Sequence, residues 1–205
     1  SLSGLFELPH PHAEPFRRMI ANPALVQRLN WMSGSGFVVD AARAIVYEKG
    51  TSGHGVHSGP YPGSARSIYT LQNGRTYCET INVAWQLRDV TVEDGGFSCI
   101  PGSHKSNFTV DIPAEVRCYE RPAHYVRQVA AEAGDLIIFT EALVHGTMEW
   151  SAAYERRSLL YKYSPGHSSW SATYYDADDY PDATEQQKRM LAPPSIGGRP
   201  DTADA

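Results

Sequence analysis

Eight histidines occur in the 205-residue chain, at positions 10, 12, 54, 57, 104, 124, 145 and 167. Taken singly, each reads as a structural or solvated side chain rather than a ligand. Two stand out by position. His57 lies in a glycine-rich loop, Gly53-His54-Gly55-Val56-His57-Ser58-Gly59, after the first β-rich run. His145 closes the segment from Gly134 to Val144, which reads as a turn, a buried strand, and then a polar residue presented at the rim. Arg156 follows eleven positions later, at the start of another strand, and shares strand parity with Ser158. One face therefore carries a guanidinium and a hydroxyl, which suits bidentate binding of a carboxylate. Arg157 points the other way and reads as a surface residue.

The elements that must position these groups are mostly short strands. Pro15 to Ala21 and Pro23 to Met32 have helical spacing, the second opened by an Asn22 cap and proline at the first position. Gly34 and Gly36 end it. Strands are then expected at Ala44–Tyr47, Tyr77–Leu87, Phe97–Ile100, Tyr125–Val129, Leu136–Phe139 and Ser158–Tyr163, separated by turns such as Asn73-Gly74 and Glu93-Asp94-Gly95-Gly96. Ala183 to Leu191 reads as a last helix, stopped by Pro193-Pro194. Many short strands with frequent turns predict a mainly β sandwich or jelly roll with flanking helices.

Composition narrows the function classes. A hydrophobic content of 41% suits one globular domain spanning residues 1–205. The formal net charge is −5, with dispersed Lys and Arg, so neither a nucleic-acid polymer nor a membrane surface is an expected partner. No apolar run is long enough to span a bilayer. Cys78, Cys99 and Cys118 are odd in number and lack Cys-x-x-Cys spacing, which argues against disulfides or a zinc site. A reducing compartment, by default the cytoplasm, is the expectation.

Several blocks together resemble the phytanoyl-CoA dioxygenase family of Fe(II)/2-oxoglutarate-dependent oxygenases. They are Val83-Ala84-Trp85-Gln86-Leu87-Arg88-Asp89-Val90, Asp94-Gly95-Gly96-Phe97-Ser98-Cys99-Ile100-Pro101-Gly102-Ser103-His104-Lys105, Gly134-Asp135 through His145-Gly146, and Arg156-Arg157-Ser158. The resemblance runs from about His57 to Tyr163 and implies a double-stranded β-helix, a jelly-roll relative. Family members are usually longer at the N-terminus, so part of that region is expected to be missing. The resemblance makes His57 and His145 the iron ligands and sets Arg156, assisted by Ser158, against the distal carboxylate of 2-oxoglutarate. It places Trp85 beside the cosubstrate, although a core aromatic on a buried strand is the competing reading. His104 becomes a loop-bracing residue, and His54 the main rival to His57.

The departure is Gly59. The family form is His-x-Asp or His-x-Glu, and here glycine stands at the carboxylate position. Removing the carboxylate loses a ligand and a negative charge. Glycine at this position resembles the non-haem iron halogenases, in which chloride takes the vacant place. The expectation is therefore a halogenase using Fe(II), 2-oxoglutarate, O2 and chloride. It would chlorinate an unactivated C–H of a small-molecule metabolite, nucleotides among the comparators, through an Fe(IV)-oxo species. The alternative is a hydroxylase of the same family, with water or a carboxylate such as Glu79 or Glu141 completing the site. A jelly-roll binding protein without catalysis is a distant third. Tyr61, Tyr69, Trp150 and Trp170 are candidate pocket residues.

Overall fold

Alternation along four strands sets the whole architecture. In the computed structural model, which describes residues 1–57, 59, 67–106, 108 and 111–202, strands β1 (Val38–Tyr47), β5 (Ile81–Gln86), β8 (Leu136–Thr140) and β10 (Arg156–Ser164) form one antiparallel sheet in the order β1-β10-β5-β8. On β10, Leu159, Tyr161 and Tyr163 face one side, and Arg156, Ser158, Leu160 and Lys162 face the other. β5 does the same, with Ile81, Val83 and Trp85 opposed to Asn82 and Ala84.

The first of these faces packs on helices. α1 (Glu14–Ile20), α2 (Pro23–Ser33) and α4 (Glu185–Leu191) cover it, burying Ile20, Leu25, Leu29, Met190 and Leu191 against the sheet. The α2 start follows the sequence reading: the Asn22 side chain accepts from the Ala24 and Leu25 amides, and Pro23 opens the helix. Thr184 and Gln187 form a reciprocal cap on α4. The Tyr161 hydroxyl donates to the Phe16 carbonyl at 3.0 Å, tying the sheet to α1.

The second face looks across a cavity at another antiparallel sheet, ordered β2-β9-β6-β7: β2 (His54–His57), β9 (His145–Met148), β6 (Gly96–Cys99) and β7 (Arg127–Gln128). Two sheets facing each other with a helical layer outside is the jelly-roll arrangement expected. A separate hairpin, β3 (Tyr69–Gln72) and β4 (Arg75–Cys78), turns at Asn73-Gly74. The expected strand from Tyr77 to Leu87 is thus two strands, broken at Glu79-Thr80. β2 and β9 lie where sequence predicts a loop and a rim. A four-residue helix, α3 (Ala114–Arg117), also has no sequence counterpart. Cys78 and Cys99 are buried free thiols, and Cys118 is exposed.

Leu29 is fully buried between α2 and the sheet, whereas Trp31 on the same helix is two-thirds exposed. Leu29→Ala is expected to cost about 2–5 kcal/mol, read as a lower urea midpoint, and Trp31→Ala to leave the midpoint nearly unchanged. Equal losses would contradict this packing.

Candidate active site

The two histidines meet because one strand slips against another. His57 pairs with His145 and His54 with Thr147, so three steps along β2 match two along β9. The slip is a local bulge, and bulges re-aim side chains. Regular alternation would send His54 and His57 to opposite faces; here both line the cavity. The rings of His57 and His145 lie 4.6 Å apart, centroid to centroid.

Both imidazoles are fixed the same way. His57 Nδ1 is 2.8 Å from the Gly55 carbonyl, and His145 Nδ1 is 2.8 Å from the Leu143 carbonyl. A carbonyl oxygen only accepts, so each Nδ1 carries a proton, and in the neutral ring it is Nε2 that offers the lone pair. That is the tautomer of a metal-binding histidine with its second nitrogen anchored. Burial against Phe97 and Phe139 pushes the pKa of His145 down to about 4, so it is neutral at neutral pH.

Across the same cavity, of about 460 Å³, stand Arg156 and Ser158. Arg156 is 5% exposed, with its guanidinium 5.6 Å from the centre of the Tyr47 ring. Its Nε has no hydrogen-bond partner, and no carboxylate pairs with it among the described residues. The buried Ser158 hydroxyl also lacks a partner. Burial lowers the Arg156 pKa, yet a guanidinium stays charged in proteins. A buried, unpaired charge costs several kcal/mol, and an incoming carboxylate would remove that cost.

A third group occupies another part of the wall. Glu141 Oε1 accepts from Asn82 Nδ2 at 2.9 Å and from Lys162 Nζ at 2.5 Å, and the Lys162 ammonium lies 3.7 Å from the centre of the Trp170 ring. Burial alone would raise the Glu141 pKa; the charge and hydrogen bond of Lys162 outweigh it and hold the pKa at about 2. Glu141 is therefore a carboxylate in the cavity. However, no three His, Cys, Asp or Glu residues among those described are placed to hold one metal ion together. Glu79 lies elsewhere, 3.8 Å from His167. The residues fit a metal held by two imidazoles, with the remaining positions left to ligands from solution.

Two expectations change. Gly59 does not line the cavity. Its φ is +88°, and a Cβ there would overlap Val144 Cγ2. Val144 packs with Val56, Ile112 and Val116 in a cluster apart from the His145 ring's aromatic neighbours. Backbone conformation and packing thus account for the glycine without a bound chloride. Trp85 packs with the helix-side core, on the face of β5 opposite to Asn82 and Ala84, so it does not line the cavity that holds His57, His145 and Arg156. Of the aromatic candidates, Trp170 lines the cavity. Trp150 is fully buried beside Val90 and Ala152, and Tyr69 meets the edge of His104 at 4.7 Å. Tyr61 and Ser58 lie outside the described residues. Tyr47, Asn82 and Lys162 were missed by sequence reasoning; extending the Arg156–Ser158 parity along β10 reaches Lys162.

Comparison with known proteins places the chain in a family. The family model for phytanoyl-CoA dioxygenase (PhyH) matches residues 46–158, more than half of the chain. The chain belongs to the PhyH family. This family comprises Fe(II)/2-oxoglutarate-dependent oxygenases, and the match takes in His57, His145, Arg156 and Ser158. Comparison with curated protein sequences gives no match. Among solved structures, HygX from Streptomyces hygroscopicus with nickel and 2-oxoglutarate bound is 20% identical, with a TM-score of 0.69 over 78% of this chain and 69% of HygX. HygX with nickel, 2-oxoglutarate and hygromycin B bound is 22% identical, with a TM-score of 0.64 over 75% of this chain and 66% of that one. AviO1 from Streptomyces viridochromogenes Tue57 is 19% identical, with a TM-score of 0.57 over 79% of this chain and 65% of AviO1. At these identities the likeness establishes a shared PhyH-type fold.

Two outcomes follow from the geometry. Gly59→Asp and Gly59→Ala are both expected to lower thermal stability, and Gly59→Asp not to tighten Co(II) binding by calorimetry; tighter binding would mean that the side chain reaches the metal. The second concerns pH. His145 has a folded pKa below its unfolded value of about 6.5, so the unfolded chain binds more protons between about 6.5 and about 4. Metal-free protein is expected to lose stability as pH falls through that window. In His145→Gln the slope should flatten; an unchanged slope would contradict the assignment.

Proposed function

We propose that this PhyH protein is an Fe(II)/2-oxoglutarate-dependent oxygenase that oxidises a C–H bond of a small molecule bound in the 460 Å³ cavity. The observation that carries the reading is the pairing of two anchored imidazoles with a buried, uncompensated Arg156–Ser158 pair in one cavity. His57 and His145 would hold the iron through Nε2. Arg156 would bind the distal carboxylate of 2-oxoglutarate, with Ser158 donating a further hydrogen bond. When bound, iron with 2-oxoglutarate and O2 supplies the oxidant, releasing succinate and CO2.

The chain's own part is binding and exclusion. Phe97, Phe139 and Leu160 line the cavity with apolar surface, the two phenylalanines packed on the His145 ring. Arg156 fixes the cosubstrate at one place on the wall, while Lys162, Glu141, Asn82 and Trp170 offer polar and aromatic contacts to a substrate at another. Hygromycin B, which one HygX structure holds, is a first compound to test.

Hydroxylation is the leading outcome, because Gly59 is explained by its backbone and by Val144. Halogenation is the second reading. It is favoured by one observation: no carboxylate among the described residues is placed as a third ligand beside the two imidazoles, which would leave iron short of a negative charge that chloride could supply. Reactions run with and without chloride separate the two. An oxygenated product at high chloride supports the hydroxylase, and a chlorinated one overturns it.

Replacing Arg156 tests the cosubstrate site. Arg156→Met is expected to weaken 2-oxoglutarate binding by about 2–5 kcal/mol, roughly 30-fold or more, measured by calorimetry on the Ni(II)-loaded protein. Unchanged affinity would contradict the assignment.

A further inference from the structure

We propose that Tyr119 is a positioning residue for the histidine pair, acting through the bulge of β2 from the outer side of the sheet. The inference rests on the reading of His57 and His145 as metal ligands. His57 reaches the cavity because β2 slips by one residue against β9 between His54 and His57. Something must hold that slip, since β2 is four residues long and carries glycine at position 55. The segment after α3 does so. Tyr119 follows the C-cap of α3 in a left-handed backbone conformation, φ +63°, which ends the helix and turns the chain toward β2.

Its hydroxyl lies at the junction of three strands. It donates to the His54 carbonyl of β2 at 3.3 Å and sits 2.8 Å from Ser98 Oγ of β6. With the phenol proton on the carbonyl, the Ser98 hydroxyl donates to the phenol oxygen. Between those strands runs β9, and there Gly146, next to His145, opens the space: a Cβ at Gly146 would overlap the Tyr119 hydroxyl. Gly146 is also the Cα partner of Ser98. The same segment presses on the bulge itself, since a Cβ at Gly55 would come within 2.8 Å of the Arg117 carbonyl. The Gly55 carbonyl in turn accepts the hydrogen bond from His57 Nδ1. One phenol thus ties the residue where the slip begins to β6 across β9, where Gly146 leaves room for it, while Gly55 makes room for the Arg117 carbonyl.

Metal-free wild type and Tyr119→Phe, titrated with Co(II) under nitrogen and followed by visible ligand-field absorption, test the proposal together with amide exchange over residues 54–57. The variant is expected to bind Co(II) roughly 10-fold more weakly, with an altered absorption envelope and faster exchange at the bulge. A purely packing role would lower the melting temperature and leave the Co(II) spectrum intact. If wild type takes up no Co(II), the metal reading fails, and the exchange measurement alone decides whether Tyr119 holds the bulge. If wild type binds Co(II) and the variant matches it in affinity, spectrum and exchange, the proposal is overturned. Should Tyr119→Phe not fold, Ser98→Ala removes one bond at the same hydroxyl. It is expected to shift the same readouts less, and no shift there also overturns the proposal.

Discussion

A one-residue slip between β2 and β9 is the constraint on which the site depends. It sets His57 opposite His145 and turns both into a cavity that regular alternation would have given to only one of His54 and His57. Everything that surrounds the slip is shaped to permit it. Gly53, Gly55 and Gly146 stand where any side chain would strike Thr147, Arg117 or Tyr119. The carbonyls of Gly55 and Leu143 then fix both rings in one tautomer. The helical layer contributes at a distance: by burying the odd-numbered face of β10 it forces Arg156 and Ser158 inward.

Charge completes the arrangement. Lys162 and Glu141 compensate each other inside the cavity, and Asn82 adds a hydrogen bond to the carboxylate. Arg156 has no such partner among the described residues. An arginine buried without a counter-ion among the described residues bears a penalty that a bound carboxylate would relieve. A metal held by His57 and His145 alone would gain no negative charge from the protein, so anions from solution would have a larger role than beside an added carboxylate.

Much of this was legible from residue order. The parity of Arg156 and Ser158, the turn before β8, and the Asn22-Pro23 helix start all act locally, through alternation and capping, and the structure repeats them. β2 and β9 were not legible. His-Gly-Val-His and His-Gly-Thr-Met lack the β-branched runs that mark strands, and their pairing comes from tertiary contact with α3 and β6. Trp85 teaches a different lesson. The alternation Ile81, Asn82, Val83, Ala84, Trp85 already places the indole with the apolar face, and the family resemblance pointed the other way. Gly59 was ambiguous for a physical reason: a missing side chain looks the same in sequence whether it makes room for a ligand or for Val144.

In the proposed site His57, His145 and Arg156 together hold iron and 2-oxoglutarate. Anaerobic addition of 2-oxoglutarate to Fe(II)-loaded protein, followed by visible absorption, tests it most directly. A metal-to-ligand charge-transfer band is expected to appear with 2-oxoglutarate and to disappear in His57→Ala and in His145→Ala. No band in the wild-type protein, or a band that persists in both variants, would contradict it.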